Sequence, residues 1–234
     1  MNNDKQNTDT GCVTIVGFGP GNPELLTLAA VRALNGADVI FYDALIPAEY
    51  LDAYPAEKIF VGKRSGRHSA EQNEINRLIA CAAQKGRRVV RLHGGDAMLF
   101  GRAGEEIDYL RERNIPVSVV PGITTASALA AQTLTSLTQR GVSQSVALIN
   151  GHADRPIVPD AETLVYYMGA RRVRDIARAL IARGKPADTP VLLASNVSMP
   201  GAGVVHTTLG AVVSSQENYP TPLLMLAGNV ARQE

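Results

Sequence analysis

Three glycine-rich segments each follow a run of apolar residues, and their composition suits the binding of a small polar ligand. They are GFGPGNP (17–23), GGDAMLFGR (94–102) and PGITTASA (121–128). Glycine lets a ligand approach the backbone closely, and backbone amides at the start of a helix attract negative charge. In open parallel sheets, ligands gather at the carboxyl ends of the strands. We therefore expect these three turns to line a common pocket.

Charged side chains that could act on such a ligand lie in two further places. Asp43 ends the run ADVIFYD (37–43), where a carboxylate could hold a ribose. Arg140 is an isolated guanidinium, a group that binds carboxylates in a forked manner. The loop after residue 62 adds four groups that are or can be cationic, Lys63, Arg64, Arg67 and His68. A solvated charged loop remains the alternative for this segment.

Other chemistries leave weaker traces in the sequence. A nicotinamide dinucleotide site would need G-x-G-x-x-G, and here the third glycine comes one residue early. That site and a plain strand-to-helix turn both stay open for residues 17–23. The histidines at 68, 93, 152 and 206 have no metal-ligand spacing with cysteine or acid, so we expect no metal site. The chain has neither a G-x-S-x-G elbow nor a Walker A loop.

The elements that must position these residues alternate along the chain. A helix is predicted to begin with Asn22 as N-cap and Pro23 in its first turn, and to end at Gly36. Strands separated by crossover helices predict a mainly parallel N-terminal sheet. The second half alternates less regularly, and VVHTTL (204–209) suggests an antiparallel strand, hence a mixed sheet. The predicted strands are 12–17, 37–43, 57–63, 87–92, 116–122, 145–150, 163–168, 191–195, 204–209 and 223–228.

We therefore predict an α/β protein with three parts. Residues 1–10 form a polar tail that we expect to be disordered. Residues 11–121 form an N-terminal α/β domain and residues 122–234 a C-terminal α/β domain, with a cleft between them. The Pro-Gly turn in PGIT (121–124) suggests the boundary between the two domains.

Bulk composition limits the partners. The formal net charge is +1 and aromatic residues make up 5%, which disfavours nucleic acid as a partner. No apolar run approaches the length of a membrane span. Two cysteines, Cys12 and Cys81, imply no disulfide framework, and a cytoplasmic location is the simpler expectation.

Taken together and in this order, the segments resemble the tetrapyrrole methylase family, the class III S-adenosylmethionine methyltransferases. The resemblance spans about residues 12 to 230. Tyr42-Asp43 followed by Val61-Gly62-Lys63-Arg64 favours the uroporphyrinogen-III C-methyltransferases over relatives such as later precorrin methylases, diphthine synthase and a ribosomal RNA ribose methylase. The segments that carry it are VGFGPGNPELLTL, ADVIFYDALI, VGKRSGRHS, VVRLHGGDAMLFGR, VVPGITTASA, LTQRGVSQSV, Gly151-His152 and LVYYMG.

The resemblance implies a homodimer that methylates uroporphyrinogen III on carbon, giving precorrin-2 through precorrin-1. S-adenosyl-L-methionine is the implied cofactor and S-adenosyl-L-homocysteine its product. The implied proton acceptor is Asp43 and the implied proton donor is Lys63. Arg64, Arg67 and Arg140 would bind the acidic groups of the tetrapyrrole. The implied cofactor contacts are Pro20, Gly94, Gly95, Asp96, Leu99, Thr124, Thr125, Met168, Val197 and Ala227.

The sequence departs from the family pattern in four places. The family has Lys at His93, Pro-Phe at Ala97-Met98, His at Gln139 and Glu-Asn-Gly at Ser195-Asn196-Val197. Gln139 and Ser195 fall near the expected substrate side. Two alternatives therefore stay open: a methylase of the same fold that acts on a later precorrin, and a homologue that binds tetrapyrrole or cofactor with weak or no catalysis.

Overall fold

The structure is a computed structural model that describes residues 10–62 and 68–232; for residues 68–71 it describes the backbone alone. The predicted tail over residues 1–10 lies outside this range except for Thr10. The chain divides into two compact units, Met1–Thr124 and Thr125–Glu234.

The first unit is built on a five-stranded parallel sheet, as predicted. Its strands pair in the order β3-β2-β4-β1-β5, and every pairing is parallel. The strand bounds are β1 Cys12–Gly17, β2 Val39–Tyr42, β3 Glu57–Phe60, β4 Arg88–His93 and β5 Val117–Val120. The central strands are apolar runs because both of their faces are covered.

Helices cover both faces of this sheet. Side chains from α2 (His68–Gln84) and α3 (Ala103–Arg111) pack with Ile15 and Phe41 on one face. On the other face, α1 (Leu28–Asn35) packs against Val16 and Ile40. Neighbouring residues of a strand point to opposite faces, so the two clusters divide each strand between them.

The second unit contains the mixed sheet that the sequence predicts. Its strand order is β6-β7-β10-β8-β9; β6 and β7 are parallel, and the other pairs are antiparallel. The strands are β6 Val146–Asn150, β7 Thr163–Tyr167, β8 Pro190–Ser195, β9 Gly203–Thr208 and β10 Leu223–Ala227. The helices are α4 Thr125–Gln132, α5 Val173–Ala182 and α6 Leu209–Ser214.

The prediction that α1 starts at Asn22 is wrong. Asn22 caps only a short 3₁₀ turn, Pro23–Leu25, by accepting a hydrogen bond from the Glu24 N–H at 3.0 Å. Leu26 is extended, and Thr27 then caps the true helix through a hydrogen bond from Ala30 N at 3.1 Å. The helix ends at the predicted Gly36.

Within the described ranges, no helix combines the length and the apolar character that crossing a bilayer requires.

Candidate ligand site at the strand ends

The sheet of the first unit brings four of the predicted site segments to one edge. Because β2, β4, β1 and β5 are adjacent and parallel, their carboxyl ends form a row. The row consists of Asp43 after β2, Gly94-Gly95-Asp96 after β4, the turn 17–21 after β1 and the turn 121–124 after β5. Gly19 and Gly95, which are 76 positions apart in the chain, thus lie side by side at this end of the sheet.

The turns after β1 and β4 are joined by backbone hydrogen bonds. Gly19 N donates to Gly95 O at 3.0 Å, and Gly95 N donates to Gly19 O at 2.7 Å. Phe18 N also donates to His93 O at 2.8 Å. Gly19 and Gly95 have φ of +87° and +66°, values that a side chain would disfavour. This pairing holds Pro20, which is buried, beside the turn after β4.

The turn after β5 comes equally close, which explains two further glycines. A Cβ on Gly122 would lie 2.3 Å from Gly95 O, and one on Gly17 would lie 2.6 Å from Gly122 N. Real Cβ atoms do not approach backbone so closely. These glycines therefore serve turn-to-turn packing, whereas the sequence suggested that they make room for a ligand.

Asp96 stabilises this arrangement through both carboxylate oxygens. Oδ1 accepts a hydrogen bond from Met98 N at 2.8 Å, and Oδ2 accepts one from Gly122 N at 2.9 Å. The sequence predicted a carboxylate offered to a ligand. In the structure, the Asp96 carboxylate also connects the turn after β4 to the turn after β5. Its half-buried side chain sits beside Gly94 and Leu99, which are also partly accessible.

The two carboxylate oxygens of Asp43 each have one polar partner among the described residues. Its Oδ1 accepts a hydrogen bond from Leu45 N at 3.1 Å, and its Oδ2 lies 3.8 Å from Arg91 Nη2. A quarter of the side chain is exposed. The carboxylate is thus held in orientation while remaining accessible at the edge of the sheet.

Sequence reasoning missed a buried polar network behind Asp43. Glu106 of α3 receives a hydrogen bond from Arg91 Nε at 3.1 Å and contacts His93 Nε2 at 2.9 Å. Gln72 Nε2 also donates to Glu106 at 3.2 Å. Burial raises the pKa of Glu106, but the hydrogen bond with His93 and the charge of Arg91 outweigh it, so the pKa lies below its ordinary value. The sequence did contain a sign of this network. Arg91 and His93 lie among the apolar residues of a buried strand, where polar side chains need buried partners.

In the second unit, a hydrogen bond links the strand that precedes Met168 to the helix that begins at Thr125. Met168 follows β7, is half exposed and has φ of +58°. The preceding Tyr167 accepts a hydrogen bond at its hydroxyl from Ala126 N, at 3.2 Å. Ala126 lies in the first turn of α4, next to Thr125. The side chain of Tyr167 therefore connects the end of β7 to the start of α4.

Val197 lies in a similar turn after β8. Its neighbours Asn196 and Ser198 have φ of +50° and +62°, and Ser198 N donates to Gln132 of α4 at 3.3 Å. Across the described residues, seven non-glycine residues have positive φ, and five follow β4, β7 or β8: Phe100, Arg102, Met168, Asn196 and Ser198. Such backbone costs about 1–3 kcal/mol per residue and clusters at functional sites.

The structure does not bring Ala227 together with Met168 and Val197. Ala227 pairs with Leu164 and Val191, at the opposite ends of β7 and β8. The turns after β7 and β8 lie near Leu224, three residues or roughly 10 Å along β10. Ala227 is buried within the core of the second unit.

Gln139 and Arg140 lie elsewhere in the second unit. Gln139 lines an open pocket of about 340 Å³ together with Val142, Asn229 and Arg232. Arg140 is exposed next to it. The predicted proton donor Lys63 and the predicted substrate ligands Arg64 and Arg67 lie outside the described residues.

The geometry argues against the dinucleotide alternative. A dinucleotide fold sets its glycine turn directly before a helix whose free amides bind the pyrophosphate. Here α1 begins at Leu28, nine residues after Gly19, and Thr27 already occupies its Ala30 amide. A carboxylate, Asp96, also stands at the centre of the turns. In the part of the chain that the structure covers, no group of three or more acidic, histidine or cysteine side chains is arranged to hold a metal ion.

The chain is similar to known proteins along nearly its full length. It is 44% identical to the siroheme synthase of Psychrobacter cryohalolentis over 96% of this chain and 45% of that protein. Identity to siroheme synthase 2 of Yersinia enterocolitica is 43%, over 95% of this chain and 49% of the relative. The chain thus spans about half the length of the curated relatives it matches.

Solved structures match over both chains. The uroporphyrin III C-methyl transferase of Thermus thermophilus has a TM-score of 0.82 at 38% identity, covering 95% of this chain and 94% of that one. The same enzyme has been solved in complex with S-adenosyl homocysteine, with a TM-score of 0.81. A cobalt precorrin-4 methyltransferase has a TM-score of 0.81 at 25% identity, covering 94% of this chain and 96% of that one.

The family model described as Tetrapyrrole (Corrin/Porphyrin) Methylases matches residues 12–213, the span that contains the strand-end turns of both units. With that match and these relatives, the chain belongs to the tetrapyrrole methylase family.

Proposed function

We propose that this chain transfers a methyl group from S-adenosylmethionine to carbon atoms of uroporphyrinogen III, giving precorrin-1 and then precorrin-2. One observation carries the proposal: the row of interlocked turns at the carboxyl edge, with Asp43 in it. The proposal is also supported by the 38% identity to a uroporphyrin III C-methyl transferase along the whole chain.

The chemistry of the turns suits a sulfonium cofactor. The segments 17–23, 94–102 and 121–128 contain two charged side chains, Asp96 and Arg102, and Arg102 is paired with Glu105 at 2.6 Å. A positively charged sulfonium is therefore favoured there over a phosphate. The proposed contacts in the first unit are Pro20, Gly94, Gly95, Asp96, Leu99 and Thr124; those in the second unit are Thr125, Met168 and Val197. Ala227, which the family resemblance also implies, is the remaining proposed contact in the second unit and lies three residues along β10 from Leu224.

The protein's main catalytic task is alignment and proton removal. S-adenosylmethionine supplies an electrophilic methyl group on its sulfonium. Holding a pyrrole carbon in line with that methyl and excluding water is worth about 7–11 kcal/mol. The methylated ring carries positive charge until it loses a proton. Asp43, accessible and oriented by Leu45 N, is the proposed acceptor of this proton.

Cationic side chains are the proposed binding partners of the substrate's acetate and propionate groups. We assign this role to Arg64, Arg67 and Arg140, and we assign proton donation to Lys63, because the family resemblance implies both. We further propose that the protein is a cytoplasmic homodimer.

The test is a methyl-transfer assay. The protein is incubated with methyl-labelled S-adenosylmethionine and anaerobically prepared uroporphyrinogen III, and the product is weighed by mass spectrometry. We expect label in the tetrapyrrole and mass increments of one and then two methyl groups. S-adenosylhomocysteine binding without any transfer would instead indicate a binding homologue.

A second candidate reaction has one observation in its favour. The cobalt precorrin-4 methyltransferase shares the fold along the whole chain, and this chain lacks the family's usual residues at Gln139 and Ser195. A methylase acting on a later precorrin would leave uroporphyrinogen III unlabelled and label the later intermediate in the same assay.

A further inference from the structure

The buried network behind Asp43 has no part in the mechanism described so far. Glu106 is 1% exposed and Arg91 is 5% exposed, and both lie on the face of the sheet that α2 and α3 cover. Charges buried in this way gain little net stability, because apolar side chains of similar volume pack there equally well. The presence of a buried Arg91–Glu106 pair is therefore better explained by a role in function than by a gain in stability.

The hydrogen bonds of Arg91 fix its guanidinium in one orientation. Nε donates to Glu106 Oε1 at 3.1 Å, and Nη1 donates to the carbonyl oxygen of Leu92 at 3.0 Å. Glu106 is itself held by Gln72 and His93. With two of its three nitrogens occupied, the planar group directs Nη2 towards the end of β2.

Nη2 lies 3.8 Å from Asp43 Oδ2. This distance is too long for a hydrogen bond but short enough for charge attraction, so Arg91 draws the oxygen without taking one of its lone pairs. Oδ1 meanwhile accepts the Leu45 amide. The carboxylate is fixed at one oxygen by the backbone and at the other by a buried charge.

We propose that Arg91 is a positioning residue that orients the Asp43 carboxylate, with Glu106 locking Arg91 in place. This inference rests on the proposed function. In the step that it serves, the methylated ring carbon is quaternary and carries no hydrogen, so a C–H bond of the methylene bridge that adjoins the methylated ring breaks and its proton moves to Asp43. The electron pair of that bond returns to the ring and neutralises its positive charge.

The test compares Arg91→Lys with Asp43→Asn and with the double variant, in the methyl-transfer assay. Lysine keeps the charge but loses the planar fork. We expect kcat to fall about tenfold to a hundredfold, as for a misplaced catalytic group. The KM for S-adenosylmethionine and the Kd for S-adenosylhomocysteine should stay within about twofold, because the described partners of Arg91 are Glu106, Leu92 and Asp43, none of which lies in the three glycine-rich turns.

The double variant distinguishes an effect of Arg91 on the position of Asp43 from a general loss of active-site structure. If Arg91 acts through Asp43, adding Arg91→Lys to Asp43→Asn should lower kcat by less than about twofold further. The matched control is Arg88→Lys; Arg88 lies on the same strand, is exposed and pairs with Asp38 at 2.8 Å. This control should keep the wild-type kcat.

Two results would overturn the inference: wild-type kcat in folded Arg91→Lys, or losses that multiply fully in the double variant. If Arg91→Lys fails to fold, Glu106→Gln takes its place, with the same expected loss and the same criteria. Wild-type protein that transfers no methyl to uroporphyrinogen III would end the proposed function and this inference together. Active wild type with unaffected Arg91→Lys would end the inference alone.

Discussion

At the scale of single residues, the candidate site contains side chains that we propose to contact a ligand and side chains that hold others in place. Asp96 uses both oxygens on backbone amides, so its main contribution is the shape of the turns. Asp43 has one oxygen on an amide and the other near a buried arginine. The two carboxylates lie at the same end of the parallel strands but have different roles.

Asp43→Asn should slow turnover while leaving cofactor binding intact. The amide cannot accept a proton from the methylated ring, and general-base help is worth about 10²–10⁴-fold. Its oxygen still accepts the Leu45 amide, so local structure is retained. Single-turnover rates measure the loss, and calorimetry with S-adenosylhomocysteine checks the binding. An unchanged single-turnover rate would remove Asp43 from the mechanism.

Arg64→Ala should weaken tetrapyrrole binding selectively. A guanidinium that binds the carboxylates of the substrate has no role towards the sulfonium cofactor. We expect a KM for uroporphyrinogen III raised by about tenfold and an unchanged Kd for S-adenosylhomocysteine, since a charge-assisted hydrogen bond contributes about 1.5–3 kcal/mol. Arg183→Ala, at the exposed end of α5, serves as the control. Equal loss of both affinities would contradict this division of labour.

The sequence predicted the residues at the carboxyl edge because each follows its own strand directly. It did not predict that Arg91, Glu106 and His93 form a network, because the partners lie on a strand and a helix that meet only after folding. Nor could it separate Ala227 from Met168, since that depends on the antiparallel register of β10 and β7.

At the scale of elements, the sequence pattern predicted the ten strands of the described residues: apolar runs indicated the buried strands, and alternation indicated 204–209. Buried strands leave a strong signal, because both faces must be apolar. The start of α1 was predicted wrongly, because Asn22-Pro23 and Thr27 are both good capping signals and only the extended Leu26 decides between them. The close packing of the glycine-rich turns could not be predicted, because it leaves no periodic pattern in the sequence.

Gly122→Ala tests that close packing. The new methyl group would lie 2.3 Å from Gly95 O, so the turns after β4 and β5 must move apart. We expect a loss of about 1–3 kcal/mol in the free energy of unfolding, together with weaker S-adenosylhomocysteine binding. Gly104→Ala in α3 meets no atom within 4 Å and should be neutral or stabilising by up to about 1 kcal/mol. Urea titrations of both variants measure the difference, and equal stability would refute the packing argument.

At the scale of the whole molecule, stability towards acid depends on carboxylates whose pKa is lower in the folded state. Hydrogen bonds from the Arg88 side chain and backbone, with its charge, lower the pKa of Asp38 to about 2 despite the opposing effect of desolvation. The pKa of buried Glu106 is also lowered, because contacts with His93 and Arg91 outweigh its burial. The unfolded chain binds protons to these groups first, so unfolding becomes easier as pH falls.

Glu106→Gln isolates the buried contribution to this acid sensitivity. Near pH 6 the variant leaves Arg91 without its buried counter-charge, which should lower the free energy of unfolding by about 3–5 kcal/mol. Because the folded pKa of Glu106 is depressed, its contribution is complete above the ordinary carboxyl pKa of 4.5 and is lost as pH falls through the lower folded value. Urea titrations between pH 6 and about pH 3 should therefore show the gap between wild type and variant closing. The control Glu74→Gln, in an exposed pair with Arg77, should track wild type closely near pH 6. A gap that keeps its size across the whole range would mean that the loss comes from packing and not from the charge of Glu106.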